Sequence, residues 1–210
     1  MKPFLVFDFD GTIADTKKIY YSLICEEAKK LGLACNQVDR IIDMGFNLRK
    51  ILRKLGFNFL SAWFLHHKIM SKAAKELKNI KKCAGIDDIK SLRCEKIILS
   101  NSPEEFMMPI LSNLGIKKYF SGVYGSDSFS DKSEFLKEYI EYHHLNPKHC
   151  FYIGDRRADV EVAKKAGCIS IIISGRCAWD SKKELLDAEP DFISGAISDI
   201  REIIKSDSLH

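Results

Sequence analysis

Hydrophobic and polar positions follow two different periods along this chain, and the change between them lies near residue 86. From residue 15 to about residue 86, apolar residues recur at helical spacing, as Tyr20, Leu23, Ile24 and Ala28 illustrate. After residue 86, short runs rich in β-branched and aromatic residues alternate with helical stretches. Strands that alternate with helices predict an α/β fold with a doubly wound parallel sheet.

The same pattern predicts the individual elements. The apolar run Phe4–Phe7 is typical of a strand that is buried on both faces. Further strands are predicted at residues 96–99, 122–124, 150–153, 170–173 and 192–193. Helices are predicted at residues 20–31, 37–44, 48–55, 60–77, 104–114, 133–143, 158–166, 181–186 and 197–205.

The position of the first strand predicts the domain organisation. Because this strand must belong to the same sheet as the later ones, residues 15–86 are an insertion that follows it. We therefore predict an α/β core made of residues 1–14 and 87–210, and a helical cap made of residues 15–86 that forms a lid over the end of the first strand. The apolar run at residues 59–65 is short for a membrane helix, so we expect it to pack inside the cap.

The net charge and the length of the apolar runs limit the classes of partner that this chain can bind. The formal net charge of +4 over 210 residues is too mild to indicate nucleic-acid binding. Residues 15–85 hold 15 basic and 6 acidic residues, so this segment either steers anionic substrates or has a solvated basic face. No apolar run reaches the ~18–20 residues that span a bilayer, and the apolar start ends in carboxylates, unlike a signal peptide. We expect a cytoplasmic monomer or homodimer with no nucleic-acid or membrane partner.

The seven cysteines add a prediction about the redox state. They form no C-x-x-C pair and no zinc-binding spacing. An odd, scattered set without an export signal predicts reduced thiols in the cytoplasm. Cys94, Cys150 and Cys168 lie beside predicted strands and are expected to be small core residues.

Two carboxylates follow the first strand, in the segment Asp8-Phe9-Asp10-Gly11-Thr12. Chemistry in open α/β sheets lies at the carboxyl ends of the strands, and residues i and i+2 of an extended strand share a face. Two like charges this close are unfavourable unless a cation or a proton compensates them, which indicates a bound metal. An Asp after a strand is also a common turn former or helix cap.

Small polar residues follow the next strand, in the segment Ser100-Asn101-Ser102-Pro103. The Ser100 hydroxyl and the backbone N–H groups at a helix start suit an anion such as phosphate. We expect Ser102 to be the helix cap, Pro103 to occupy the first helical position, and Ser100 to be a ligand.

A third strand end repeats the arrangement, in Gly154-Asp155 followed by Asp159 in the first turn of the next helix. An Asp in a first helical turn is often only a complement to the helix dipole. Asp155, together with Asp8 and the backbone carbonyl of Asp10, would furnish an all-oxygen site that suits Mg²⁺. Lys132 opens the helix before this strand, where the helix dipole disfavours a lysine, so its position suggests a functional role.

These four segments, in this order and spacing, resemble the motifs of the haloacid dehalogenase superfamily of hydrolases, which have a Rossmann-like core. Asp8-Phe9-Asp10-Gly11-Thr12 resembles the first motif, Ser100 the second, Lys132 the third, and Gly154-Asp155 with Asp159 the fourth. The segments at residues 45–49, 133 onward and 190–193 resemble phosphoglycolate phosphatase-like members. Ser133 follows Lys132 where many relatives have proline.

The resemblance implies a phosphatase that acts on a small phosphorylated metabolite. Asp8 would attack phosphorus to form an aspartyl-phosphate, and Asp10 would protonate the leaving alcohol and then activate water. Mg²⁺ would be held by Asp8, by the carbonyl of Asp10 and by Asp155. The presence of Asp10 favours phosphoryl transfer over carbon–halogen cleavage.

The resemblance also implies which groups hold the phosphoryl oxygens. They are Lys132 and Ser100, with backbone N–H groups near Phe9 and Asn101 and in the Gly11-Thr12 turn. Asp159 would support Lys132 or the metal.

Two other classes of function remain open at this point. A sugar phosphomutase or a pyrophosphatase of the same superfamily would share the core residues, and Arg49 in the cap would bind a substrate anion or be a surface residue. A receiver-like or phosphate-binding signalling domain also combines an Asp phosphoacceptor, Mg²⁺ and a lysine on a doubly wound sheet, but it lacks a large helical insertion.

Overall fold

The chain forms two compact units in the computed structural model, which describes residues 2–30, 32–36 and 48–207. The first unit comprises residues 1–15 and 81–210, and the second comprises residues 16–80. The predicted helix at residues 37–44 and the segment 45–47 lie outside the described residues, as do the side chains of residues 48–50.

The first unit is built on a six-stranded sheet in which every strand pairing is parallel. Its strands are β1 (Phe4–Phe7), β4 (Glu95–Leu99), β5 (Gly122–Tyr124), β6 (Cys150–Gly154), β7 (Ile169–Ile173) and β8 (Phe192–Ser194). The spatial order is β5-β4-β1-β6-β7-β8. This arrangement confirms the predicted α/β fold with a parallel sheet.

Strand β1 lies in the middle of this sheet, between β4 and β6, and all of its residues are apolar. All four of its residues are buried, and Phe7 lies opposite Ile98 of β4 and Ile153 of β6. A strand buried on both faces requires helices on both faces, which explains the continuous apolar run. The chain continues to β4 and β5 on one side of β1 and to β6, β7 and β8 on the other, so the connection reverses direction beside β1.

The helices of the first unit follow the predicted pattern closely. They are α4 (Glu104–Asn113), α5 (Lys132–Tyr142), α6 (Arg157–Ala166), α7 (Lys182–Asp187) and α8 (Ile200–Asp207). The main core cluster joins apolar residues of β1, β4 and β6 to Leu136 and Ile140 of α5 and to Ala163 of α6. The helix predicted at residues 197–205 is instead a short 3₁₀ turn, Ile197–Asp199, followed by α8.

The segment 15–86, which was predicted to be helical throughout, contains strand residues near both of its ends. Strand β2 (Ala14–Asp15) pairs antiparallel with strand β3 (Lys81–Lys82), and a 3₁₀ helix follows at Ile86–Ser91. These strands are only two residues long, and such a short strand leaves no alternating pattern that would distinguish it in the sequence.

The second unit consists of helices in its described part. They are α1 (Lys17–Lys29), α2 (Leu48–Lys54) and α3 (Phe59–Lys75). The carboxylate of Glu27 on α1 is buried and accepts hydrogen bonds from Lys30, Lys68 and Lys72 at 2.8–3.1 Å. Burial alone would raise the pKa of Glu27, but these three lysines lower it to about 2. The ion pairs to Lys68 and Lys72 join α1 to α3.

The expectation that residues 59–65 pack inside the helical unit is wrong for most of the run. Ala62 and Leu65 are buried, whereas Phe59, Leu60 and Phe64 are 71%, 75% and 68% exposed. Helical spacing places only one side of α3 against its neighbours, and the uncharged run continues around to the other side. Among residues 2–30, 32–36 and 48–207, we find no helix with the length and apolar character needed to cross a membrane.

The prediction that all cysteines are reduced thiols is also wrong, because Cys83 and Cys177 form a disulfide. They are 94 residues apart in sequence, and their Cα atoms are 5.8 Å apart. Sequence spacing cannot reveal such a long-range pair. Cys150 and Cys168 are free and buried, as predicted for small core residues, and Cys94 is free and half-buried.

A substitution that creates a cavity in the main core tests the assignment of that core. Leu136 is fully buried in the cluster between α5 and the sheet. We predict that Leu136→Ala lowers the free energy of unfolding by about 2–5 kcal/mol, because it removes buried contacts and leaves a cavity. The control Leu186→Ala, at a position that is 51% exposed, should change it by less than about 0.5 kcal/mol. Equal effects in denaturant titration would contradict the assigned core.

Candidate active site

Three adjacent strands end at the same edge of the sheet, and each is followed by polar residues. Strand β1 leads to Asp8 and Asp10, β4 leads to Ser100, and β6 leads to Asp155. Because β1 lies between β4 and β6, these side chains meet at the point where the sheet connectivity reverses, which is where open α/β folds bind ligands.

Asp8 and Lys132 form a buried ion pair at this edge. The Asp8 backbone N–H donates to the Ile153 carbonyl at 2.7 Å, which continues the pairing of β1 with β6 past the end of the strand. Its carboxylate Oδ1 accepts a hydrogen bond from Lys132 Nζ at 2.6 Å. Lys132 is the first residue of α5, and the preceding Asp131 caps that helix by accepting from two backbone N–H groups. The cap fixes the position from which the lysine reaches Asp8.

Asp155 is fully buried and held by two donors. Thr12 Oγ1 donates to its Oδ1 at 3.0 Å, and the Trp179 backbone N–H donates to its Oδ2 at 2.7 Å. Thr12 is itself fully buried, and its hydroxyl has the Asp155 carboxylate as its hydrogen-bond acceptor.

Asp159, in the first turn of α6, holds the site together from the side of β6. Its Oδ2 accepts the backbone N–H groups of Asp155 and Arg156 at 3.1 and 3.0 Å. Its Oδ1 accepts from the Tyr152 hydroxyl at 3.2 Å and lies 3.5 Å from Lys132 Nζ. These contacts place Asp159 between Lys132 and the backbone that follows β6.

Asp10 turns toward the segment that follows β4. Its Oδ2 accepts a hydrogen bond from Ser102 Oγ at 2.5 Å and a longer one from Ser100 Oγ at 3.4 Å. Ser100 is almost fully buried, and its Oγ also accepts the Ser102 backbone N–H at 3.1 Å. Asp10 is therefore oriented by two serine hydroxyls.

The predicted helix cap at Ser102 and Pro103 is wrong in both positions. Helix α4 begins at Glu104, and Pro103 is its cap residue rather than its first helical residue. The Glu104 N–H donates to the carboxylate of Asp127 at 2.9 Å, so a residue 23 positions later supplies the capping oxygen. The Ser102 hydroxyl is thereby available to Asp10.

The cluster holds excess negative charge. Carboxylate oxygens of Asp8, Asp155 and Asp159 all lie within 4.8 Å of one another, and all three residues are buried. Burial, and then the neighbouring carboxylates Asp159 and Asp10, raise the pKa of Asp8 to about 7 against the opposing effect of Lys132. Burial and the charges of Asp159 and Asp8 raise the pKa of Asp155 well above its usual range. Burial would lower the pKa of Lys132, but the two carboxylates raise it.

This electrostatic imbalance fits a divalent cation. One lysine cannot balance three ionised carboxylates, and a buried uncompensated charge is strongly unfavourable. The donors are all oxygens, which suits Mg²⁺ rather than a thiol- or imidazole-binding metal. The carboxylates that converge here are those of Asp8, Asp155 and Asp159, whereas the carboxylate of Asp10 is bonded to the two serines.

The turn at Gly11 permits the close approach of these groups. Gly11 has φ of +81°, and a Cβ atom on it would collide with the Asp155 carboxylate and with the Trp179 ring. Only glycine accepts both this backbone conformation and this contact.

Two further residues contribute to the site but carry no signal in the sequence that predicts this. Tyr152 lies inside an apolar strand, where its hydroxyl gives no signal, and Trp179 contributes a backbone N–H that any residue carries. Asn101, predicted at the phosphate site, is exposed. The side chain of Arg49 lies outside the described part of the chain.

Comparisons with known proteins are consistent with this geometry. The family model described as haloacid dehalogenase-like hydrolase matches residues 5–173. The phosphoglycolate phosphatase of Vibrio cholerae is 31% identical over 110 residues, which is 51% of this chain and 48% of that protein. That of Vibrio parahaemolyticus is 22% identical over 218 residues, 95% of each protein. Thus the chain spans about half the length of some of the curated relatives it matches and nearly all of others.

The fold is shared with solved structures. The crystal structure of a predicted phosphatase from Clostridium acetobutylicum matches with a TM-score of 0.82 at 20% identity, and the match covers 98% of this chain and 99% of that one.

Gly11 provides a test of the close packing at the site. We predict that Gly11→Ala destabilises the protein by several kcal/mol, because it combines backbone strain of about 1–2 kcal/mol with a collision against Asp155 and Trp179. Gly115→Ala is the matched control, because Gly115 has φ of +72° and a Cβ atom added to it would meet no atom within 4 Å. Denaturant titration should give the larger loss for Gly11→Ala, and equal losses would contradict the packing described here.

Proposed function

The chain belongs to the haloacid dehalogenase-like hydrolase family, and from that premise we propose that it is a Mg²⁺-dependent phosphatase of the phosphoglycolate phosphatase type. Its substrate is a small phosphorylated metabolite, and the reaction passes through an aspartyl-phosphate. The observation that carries this proposal is the convergence of Asp8, Asp10, Ser100, Lys132 and Asp155, which lie far apart in sequence, at one edge of the sheet.

Asp8 is the proposed nucleophile. One of its carboxylate oxygens attacks phosphorus, a new O–P bond forms, and the bond from phosphorus to the ester oxygen breaks. The ion pair with Lys132 at 2.6 Å supports this assignment, because it holds the carboxylate in a fixed orientation and favours its ionised form.

Asp10 is the proposed general acid and base. In the first step its carboxyl gives a proton to the departing alcohol oxygen. In the second step it takes a proton from the water that attacks the aspartyl-phosphate, which releases phosphate and restores Asp8. The Ser102 hydroxyl supports this assignment, since it donates to Asp10 at 2.5 Å and orients the carboxylate. The Ser100 contact with Asp10 is longer, at 3.4 Å, and the Ser100 hydroxyl turns to a phosphoryl oxygen when the substrate binds.

Lys132 and Ser100 are proposed to hold the phosphoryl oxygens, together with backbone N–H groups near Phe9 and Asn101. An ammonium group and fixed N–H donors stabilise charge that develops on these oxygens. Gly11 was predicted among these donors, but its backbone N–H donates to the Ala14 carbonyl at 2.9 Å. Thr12 was predicted among these residues, but its hydroxyl donates to Asp155, so we propose that it orients that carboxylate.

Asp8 and Asp155 are the carboxylates proposed to bind Mg²⁺, with the Asp10 carbonyl as a further ligand. Asp159 is proposed to support them, because each of its carboxylate oxygens already accepts from two donors within the protein. Each carboxylate oxygen of Asp155 accepts from one donor and keeps a lone pair for a cation. When bound, the cation neutralises the carboxylates and polarises the phosphoryl group.

The helical insertion is the proposed source of substrate selectivity, and its role as a cap stays a prediction. Phosphoglycolate is the first substrate to test because the relatives are named for it. A superfamily phosphomutase is distinguished by its product, because it converts a bisphosphate into an isomeric phosphate without net release of inorganic phosphate.

Loss of the nucleophile tests the mechanism. We predict that Asp8→Asn lowers the rate of Mg²⁺-dependent phosphate release from an aryl phosphate and from phosphoglycolate by about 10³-fold or more. The matched control Asp187→Asn, at the exposed end of α7, should retain full activity. A fully active Asp8→Asn protein would remove the nucleophile assignment, and phosphate binding without release by the unmodified protein would favour a binding module.

Removal of the cation tests the carboxylate site separately. We predict that Mg²⁺ at about 100 times its Kd stabilises the unmodified protein by about 2.7 kcal/mol, because only the folded state holds the site. Asp155→Asn should abolish this response, whereas Asp88→Asn on the surface should keep it. The measurement is thermal unfolding with Mg²⁺ and with a chelator, and an unchanged response in Asp155→Asn would exclude this residue as a ligand.

A further inference from the structure

The loop between β7 and α7, residues 174–181, contacts the carboxylate site through its backbone. The Trp179 N–H donates to Asp155 Oδ2 at 2.7 Å, one of the two hydrogen bonds that fix this carboxylate. Trp179 is buried, and its ring lies against Gly11 so closely that a Cβ atom there would overlap it. One residue of this loop therefore touches two of the strand ends that form the site.

The same loop is attached to the start of α6. The Asp180 carboxylate accepts from Arg156 Nε at 3.3 Å and from the Arg157 backbone N–H at 2.8 Å. The Arg156 guanidinium carbon lies 5.1 Å from the centre of the Trp179 ring. These contacts hold the part of the loop that follows Trp179 against the start of α6.

On the side that precedes Trp179, the loop is held by the disulfide. Cys177 lies two residues before Trp179 and is bonded to Cys83, which directly follows β3. The Cys83 backbone N–H donates to the Ile13 carbonyl at 3.0 Å, and Cys83 Sγ lies 3.5 Å from the Gly11 carbonyl oxygen. The disulfide therefore links the turn that carries Gly11 to the loop that holds Asp155.

We propose that the Cys83–Cys177 disulfide is a redox-sensitive tether that positions the Trp179 N–H on Asp155 and thereby sets the affinity of the site for its divalent cation. This inference rests on the proposed function. Cys83 and Cys177 act here as positioning residues. A dithiol reductant breaks the S–S bond, supplies two electrons and two protons to form two thiols, and is itself oxidised to a disulfide.

The expected size of the effect follows from the geometry. Reduction leaves the Asp180 contacts and the Thr12 hydrogen bond in place. We therefore expect weaker binding of the cation and not a complete loss of binding. Groups that orient a metal ligand through hydrogen bonds typically change metal affinity by 10–100-fold when they are removed. We expect a change at the lower end, about tenfold, because the N–H donor itself is retained.

The experiment uses Trp179 as its own reporter. The chain has two tryptophans, and Trp63→Phe in the helical unit leaves Trp179 as the single one. Mg²⁺ is titrated into this full-length protein, oxidised or treated with a dithiol, and Kd is measured by tryptophan emission and by calorimetry. We expect reduction to raise Kd about tenfold. Cys83→Ser/Cys177→Ser should show the raised Kd without reductant and should not respond to dithiol.

Two controls separate a tether from a disulfide that only stabilises the fold. Cys94→Ser removes a free, half-buried cysteine and should leave the dithiol response unchanged. The melting temperature of the metal-free protein is measured in both redox states. A lower melting temperature with an unchanged Kd overturns the proposal, as does continued alkylation of Cys83 and Cys177 under oxidising conditions. Failure to bind Mg²⁺ in either state would overturn the proposed function as well.

Discussion

The repulsion among buried carboxylates is the constraint on which the rest of this site depends. Asp8, Asp155 and Asp159 bring oxygens within 4.8 Å of one another in the protein interior, where solvent does little to weaken their repulsion. Lys132 compensates part of the charge through Asp8 and Asp159. Burial, and then the neighbouring carboxylates, raise the pKa values of Asp8 and Asp155, and a divalent cation would compensate the remaining negative charge.

The fold supplies the means of holding these charges together. Strand pairing fixes the ends of β1, β4 and β6 side by side, so residues far apart in sequence share one edge. Hydrogen bonds then orient each carboxylate: two serines for Asp10, a threonine and a backbone N–H for Asp155, and two backbone N–H groups for Asp159. The Ser100 hydroxyl and the N–H groups of Asp155 and Arg156 lie next to strand or helix ends, which limits the freedom of the charged side chains, whereas the Trp179 N–H lies in a loop.

Much of this arrangement follows from sequence patterns, and the remainder depends on contacts that patterns do not encode. The strand at Phe4–Phe7 and the residues at the strand ends could be predicted because apolar runs that stop at Asp or Ser are local features. The partner of Ser102 could not be predicted, since a serine before a helix is ordinarily a cap and Asp127 took that role. The Cys83–Cys177 bond and the Trp179 N–H likewise depend on tertiary approach over long sequence separations. The exposed apolar run at the start of α3 was wrongly predicted to be buried, because hydrophobicity alone does not establish burial.

A crystal structure with Mg²⁺ and a phosphate mimic such as beryllium fluoride would show whether the buried carboxylates bind the cation and whether Asp8 is the nucleophile. We expect one octahedral cation at about 2.0–2.1 Å from oxygens of Asp8 and Asp155, with the mimic attached to Asp8 and contacted by Lys132 and Ser100. A cation bound elsewhere, or a mimic attached to another residue while Asp8 keeps only its pairing with Lys132, would contradict this expectation.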